Sequence, residues 1–131
     1  MRTLRKPKSE RQKLIKANDD LARKICHLRD KVCQATGKTE NLQWCHFYTR
    51  SKLSVRWEED NYCLLNGGTH NFWAHKYPTK FKEFWIKRIG QERFDRLTLR
   101  FNHTTSISNF ALFCTNKLLQ ERLAELAKTT S

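Results

Sequence analysis

The sequence lacks the features that mark small secreted scaffolds and membrane spans. Its five cysteines are odd in number and include no Cys-x-x-Cys pair, which argues against a disulfide framework. No apolar run is long enough to cross a bilayer, and no hydrophobic segment follows the basic amino terminus. We therefore expect neither a spanning helix nor a secretory signal, and we expect a cytoplasmic protein with reduced thiols.

Acidic residues are also scarce. The chain has 13 Asp and Glu against 26 Lys and Arg, a formal net charge of +13 on 131 residues. Such a charge attracts a polyanion and makes binding steeply salt-dependent. We expect DNA as the partner rather than a membrane surface, because nothing in the sequence resembles a membrane segment. No base-reading motif is present, so we expect weak sequence specificity and leave open duplex, branched or single-stranded DNA and RNA.

The length and a 38% hydrophobic content fit one domain with a modest core. We divide the chain into residues 1–29, a basic tail and helix; residues 30–101, the main segment; and residues 102–131, a linker and an amphipathic helix. The first nine residues are expected to be disordered, with Ser9 as a possible helix cap. Cations of this helix are candidate DNA contacts, or alternatively a solvated charged face: Lys13, Lys16, Arg23 and Lys24.

Helical spacing continues after the middle of the chain. Thr79 is a possible cap for a helix ending near Gly90, and a shorter helix follows. The final helix, from Ser108 to about Lys128, either folds back on the domain or forms a homodimer seam. The apolar positions of these three helices are Phe81, Phe84, Trp85 and Ile89; Phe94, Leu97 and Phe101; and Phe110, Cys114, Leu118, Leu119, Leu123 and Leu126.

The most informative pattern lies between these helices. Trp44-Cys45-His46 is followed by Asn61, His70 and His75. Residues 42–48 are apolar and aromatic after a turn at residues 37–41, which predicts an extended strand over residues 42–48 that holds His46 rigidly. A second short strand is expected through residues 62–65. Thr69 is a reasonable N-cap for a helix that begins near His70.

These residue types suit phosphodiester hydrolysis. The reaction needs a group that deprotonates a water and a cation that stabilises charge on the phosphate. His46 is a natural base near neutral pH, and the Asn61 carboxamide could orient either His46 or the metal-binding loop. His70 and His75 are nearly one and a half helical turns apart, which is looser than an i, i+4 pair of metal ligands.

The segment from about Asp30 to Phe101 resembles an HNH endonuclease of the His-Me finger superfamily, phage-encoded members in particular. The resemblance implies an α+β fold in which a two-stranded hairpin and a helix surround one divalent metal ion. Here it is flanked by helices at both ends, so the chain is mostly helical. It further implies that His46 is the general base, that Asn61 fixes the geometry and that His70 ligates the cation.

The sequence departs from these relatives at several positions. Many carry two Cys-x-x-Cys pairs that hold a structural zinc, but residues 33–36 read Cys-Gln-Ala-Thr and residues 66–69 read Asn-Gly-Gly-Thr. We therefore predict no structural zinc. Cys45 stands where relatives often have a metal-binding Asp or His, and a thiolate there would favour zinc over magnesium. His75 is the other candidate metal ligand, although its spacing from His70 is one residue longer than usual.

Three cations around the predicted base add to the expected DNA surface: Arg50, Lys52 and Arg56. The sequence thus predicts an HNH-type, metal-dependent DNA endonuclease that uses Mg, Mn, Ni or Zn. It would nick as a monomer and cut duplex or branched DNA as a dimer. The alternatives are an inactive DNA-binding or packaging accessory protein with the same fold, and a basic interaction protein that inhibits an acidic host factor.

Overall fold

The computed structural model describes residues 5–103 and 106–129. Within these ranges the fold is a mostly helical α+β arrangement of six helices and one two-stranded antiparallel hairpin, as predicted. Residues 1–4 of the expected tail and residues 104–105 of the expected linker lie outside the described residues. The elements are α1 (Glu10–Asp30), β1 (Leu42–His46), α2 (Leu53–Arg56), a 3-10 turn (Glu59–Asn61), β2 (Tyr62–Asn66), α3 (Gly67–Lys76), α4 (Pro78–Ile89), α5 (Gln91–Asn102) and α6 (Asn109–Thr129).

Helix α1 begins at the predicted cap. The Ser9 hydroxyl accepts from the backbone N–H of Gln12, and the Gln12 side chain accepts in return from the backbone N–H of Ser9. This reciprocal capping box satisfies two donors that the first turn of a helix leaves without partners.

The hairpin divides the core into two clusters. Strand β1 pairs antiparallel with β2 in a register that places Trp44 opposite Leu64 and Cys45 opposite Cys63. Since side chains alternate along a strand, Trp44, Tyr62 and Leu64 face one side and pack with α1 and α6. Cys45, Cys63 and Leu65 face the other side and pack with α4 and α5. The two clusters comprise Ala22, Ile25, Cys26, Trp57, Tyr62, Leu64, Leu112 and Leu119, and Cys33, Cys45, Cys63, Leu65, Phe81, Trp85, Ile89 and Phe94.

Two predicted helix starts are wrong by a few residues. Helix α3 begins at Gly67 rather than near His70, because the Asn66 side chain, not Thr69, caps it by accepting from the Gly68 N–H at 3.0 Å. Helix α4 begins at Pro78, whose fixed φ suits the first helical position. The predicted end near Gly90 is confirmed, since Gly90 adopts a φ of 89° between α4 and α5.

The final helix folds back on the domain, where its buried residues Leu112 and Leu119 join α1. Its apolar side was partly predicted wrongly, because Phe110 and Leu118 are 74% and 65% exposed. Phe110 and Leu118 lie with the exposed Cys114 on a second face of the helix. The sequence prediction combined this face and the buried face into one apolar side. Within the described residues no helix has the length and apolar character needed to cross a membrane.

Candidate active site around His46

The His46 imidazole lies at the end of β1, with its two nitrogens in different environments. Its Nε2 is 2.8 Å from the backbone carbonyl of Arg56. Because a carbonyl oxygen only accepts, Nε2 carries the hydrogen, and Nδ1 of the neutral ring is left as the basic nitrogen. The ring also contacts Trp44 edge-on at 4.4 Å and lies 6.0 Å from the ring of Tyr62.

Burial is the main determinant of the charge on His46. It lowers the pKa of the imidazole to about 4; the bond to the Arg56 carbonyl and the charge of Asp19 oppose this shift, and the charges of Arg50 and Arg56 reinforce it. A histidine with this pKa is neutral throughout the physiological range, so it is present in the proton-accepting form, but it is a weaker base than a histidine that titrates near pH 7.

Asn61 fixes the loop that supplies this carbonyl. Its side chain is fully buried, and its Oδ1 accepts from the Tyr48 N–H at 2.8 Å. Its Nδ2 donates to the carbonyls of Tyr48 at 3.1 Å and Val55 at 3.0 Å. One carboxamide therefore joins the two ends of the 48–55 loop and places the next carbonyl, that of Arg56, against His46.

Asp19 of α1 anchors the cations beside the site. It accepts from Arg56 Nη2 at 2.6 Å, from Arg50 Nη2 at 3.1 Å and from the Trp57 indole at 2.9 Å. Burial raises the pKa of this carboxyl, but the bonds from Arg56 and Trp57 and the arginine charges outweigh burial, so the net shift is downward. We did not identify Asp19 from the sequence, although its spacing from Ile15 and Ala22 places it on the apolar face of α1.

Two arginine guanidinium groups lie beside Trp44, whose ring contacts His46. Arg23 and Arg50 lie 5.3 Å and 5.2 Å from the Trp44 ring, in the range of cation–π contacts. Both side chains are about half exposed, at 46% and 50%. Arg50 also pairs with Asp19 and Arg23 with Asp20, but both remain accessible to a phosphate, whereas Arg56 is only 17% exposed.

The remaining predicted DNA contacts are spread more widely. Lys13, Lys16 and Lys24 are exposed on α1, and Lys16 pairs with Asp20 at 3.1 Å. The Lys52 ammonium lies 5.4 Å from the Phe101 ring. Surface positions such as these support electrostatic attraction rather than chemistry.

The predicted metal ligands do not meet His46. Cys45 points to the opposite face of the hairpin, is 1% exposed, and donates its thiol to the Gln43 carbonyl. His70 contacts the Gln43 side chain at 3.3 Å and the Phe81 ring, on that same opposite face. His75 is exposed on α3.

This donor set does not fit a metal centre built from protein side chains. Burial raises the pKa of the Cys45 thiol to about 12, which disfavours the thiolate that a metal requires. Burial, and then the charge of His75, lower the pKa of His70 and favour its neutral form. In the part of the chain that the structure describes, no three His, Cys, Asp or Glu side chains are grouped to hold an ion.

Cys33 is the one thiol among the four positions at which the resemblance would place the ligands of a structural zinc. Burial raises the pKa of this thiol, but hydrogen bonds from the Thr36 side chain and from the backbone of Asn66, Ala35 and Thr36 outweigh burial and lower it overall. The absence of a structural zinc stays a prediction. All five cysteines are free thiols, and only Cys114 is exposed.

Comparison of the chain with known protein families, with curated proteins and with solved structures found no match. The features that point to a function are the geometry around His46 and the resemblance in the sequence.

Replacing Asn61 by Ala should destabilise the protein by about 2 to 4 kcal/mol, because backbone groups of Tyr48 and Val55 lose their buried partners. Urea unfolding followed by tryptophan fluorescence measures the loss. The matched control is Asn71→Ala, at an exposed position of α3, which should cost less than about 0.5 kcal/mol. Equal effects of the two substitutions would contradict the role of Asn61.

Adjacent aspartates on α1 provide a second matched pair. Asp19→Asn should cost about 3 kcal/mol, because it leaves the Arg56 guanidinium mostly buried without its counter-charge. Asp20→Asn should cost less than about 0.5 kcal/mol, because the Asp20 side chain is 45% exposed. The same unfolding measurement decides, and a cost of Asp19→Asn no larger than that of Asp20→Asn would contradict the anchoring role.

The His46 ring should titrate with a midpoint near pH 4 in the folded protein. The NMR chemical shift of its Cε1 proton, recorded as a function of pH, measures this midpoint. Because the unfolded ring has a pKa of about 6.5, the unfolded state binds more protons between these values. His46 should therefore lower stability by about 3 kcal/mol as the pH falls from 7 to 4. A midpoint near 6.5 would show that the ring is not buried as described.

Proposed function

We propose that the chain is an HNH-type endonuclease that hydrolyses phosphodiester bonds of DNA, with His46 as the general base. The observation that carries this proposal is the contact between His46 Nε2 and the Arg56 carbonyl, in a loop held by Asn61. It leaves a neutral imidazole with one free basic nitrogen in a fixed orientation, which is what a general base requires. The resemblance gives the same two residues the same roles.

In the proposed reaction Nδ1 of His46 takes a proton from a water molecule as its oxygen attacks the phosphorus. The bond from phosphorus to the leaving oxygen breaks, and that oxygen takes a proton from solvent. The products are a phosphate monoester and a free hydroxyl, and the imidazolium then returns its proton to solvent. Arg23 and Arg50 stabilise the charge that develops on the phosphate oxygens.

A divalent ion, which the resemblance implies, would add Lewis-acid stabilisation of that charge. Because the described donors do not form a site for it, no step of the proposed reaction depends on an ion. The requirement for a metal stays a prediction and is addressed by the choice of ions in the assay.

The second candidate is an HNH-fold protein that binds DNA without cutting it, for example in packaging. One observation favours it: the contacts of His46 and His70 lie on opposite faces of the hairpin, and Cys45 is sealed in an apolar cluster. Both candidates share the basic surface, weak sequence specificity and the possibility of a homodimer through the exposed face of α6.

Plasmid cleavage by the purified protein separates the two candidates. In magnesium, manganese, nickel or zinc the wild type should nick or cut, and His46→Ala should keep its DNA affinity while losing about 10²- to 10⁴-fold in rate. His27→Ala, at an exposed position of α1, is the matched control and should cut like the wild type. Binding without cleavage by the wild type in every metal would favour the second candidate, and full activity of His46→Ala would exclude His46 as the base.

A further inference from the structure

A second candidate binding site lies on the side of the hairpin that faces away from His46. A cavity of about 310 Å³ opens between the loop after α1 and the last turns of α4. It is lined by Gln34, Ala35, Phe84, Lys87 and Arg88. Ala35 and Phe84 belong to the cluster that packs against α4 and α5, whereas Trp44, which contacts His46, packs with the other cluster.

The cavity is positively charged. Both of its charged lining residues are cations, and no carboxylate lines it. Arg88 donates from Nη2 to the carbonyl of Tyr62 at 3.1 Å and stacks over Trp85 at 4.7 Å. Its Nε is buried with no hydrogen-bond partner, and no carboxylate in the described residues forms an ion pair with it.

A second largely buried arginine, Arg29, has the carboxylate partners that Arg88 lacks. Arg29 pairs with Asp30 at 2.8 Å and with Glu59 at 3.4 Å, and the bond to Asp30 outweighs burial and raises its pKa. Burial lowers the pKa of Arg88; Cys63, Asp30 and Asp60 oppose this shift without reversing it, and the charge of Arg29 reinforces it. A partly buried guanidinium without a counter-ion is costly, so an anion in the cavity would stabilise it.

Phosphate is the anion that these residues fit. A guanidinium supplies charged N–H donors to phosphate oxygens, and the exposed Lys87 adds a mobile second charge. Lys80 lies two turns before Lys87 on the same face of α4, about 10 Å along the axis. One extended nucleic-acid strand therefore reaches both lysines, which a free phosphate ion does not.

We propose that this cavity is a phosphate subsite that binds a phosphodiester group of a nucleic-acid strand, remote from the His46 site. The proposal rests on the nucleic-acid-binding part of the proposed function and not on cleavage. It implies that the bound strand contacts both sides of the hairpin.

The test is the salt dependence of oligonucleotide binding, measured by fluorescence anisotropy with single-stranded and duplex probes. Lys87→Ala removes one phosphate contact, so the slope of log K against log salt should become shallower by about 0.7 to 0.9, with a three- to tenfold loss of affinity near 150 mM salt. Lys117→Ala, on the far helix α6, removes the same charge and should change the slope by less than about 0.3. Equal slopes for the two variants would overturn the proposal.

Inorganic phosphate is the second probe. Binding is detected by the NMR signal of the Trp85 indole N–H, which lies beside Arg88. The signal should shift with oligonucleotide in the wild type, and the shift should weaken in Lys87→Ala. A shift with phosphate alone, together with an unchanged slope in Lys87→Ala, would make the cavity a site for free phosphate and overturn the strand assignment. None of these outcomes depends on cleavage, so the His46→Ala assay judges the nuclease proposal separately.

Discussion

The site depends on one carboxamide. Asn61 holds both ends of the 48–55 loop, because its side chain forms hydrogen bonds with the backbone of Tyr48 and of Val55. These bonds help to place the Arg56 carbonyl against His46, and that carbonyl fixes the orientation and the tautomer of the imidazole. The geometry of the proposed base therefore depends on a residue whose hydrogen bonds are to the loop backbone and not to the imidazole.

Asp19 pairs with two of the arginines on this side of the hairpin. Asp19 neutralises part of the charge of Arg50 and Arg56 and holds them in place, while Arg23 and Arg50 stay exposed around Trp44. The opposite side contains buried cysteines and Arg88, which lacks such an acid. The hairpin thus separates a proposed chemical site from a proposed binding site, and a chain with a net charge of +13 can present phosphate contacts on both faces.

Periodicity and turn signals predicted the five longer helices and the hairpin, because these depend on local sequence. They did not predict the short helix α2, and they carried the first strand to residue 48, whereas β1 ends at His46 as the resemblance implied. They placed Thr69 and Thr79 at helix starts where Asn66 and Pro78 act instead, because capping depends on backbone geometry as well as residue type. The grouping of Cys45 and His70 with His46 was expected from the resemblance, which carries no information on which strand face a side chain takes here. Asp19 was missed because its partners, Arg50 and Trp57, are more than thirty residues away in sequence.

The tautomer of His46 tests the account most directly. Long-range ¹H–¹⁵N NMR correlation of the uniformly labelled protein, between pH 6 and pH 8, reports the protonation of each ring nitrogen. We expect a protonated, pyrrole-type Nε2 and an unprotonated, pyridine-type Nδ1 throughout this range. A doubly protonated ring, or a hydrogen on Nδ1 instead, would contradict the contact with Arg56 and with it the role of His46 as the base.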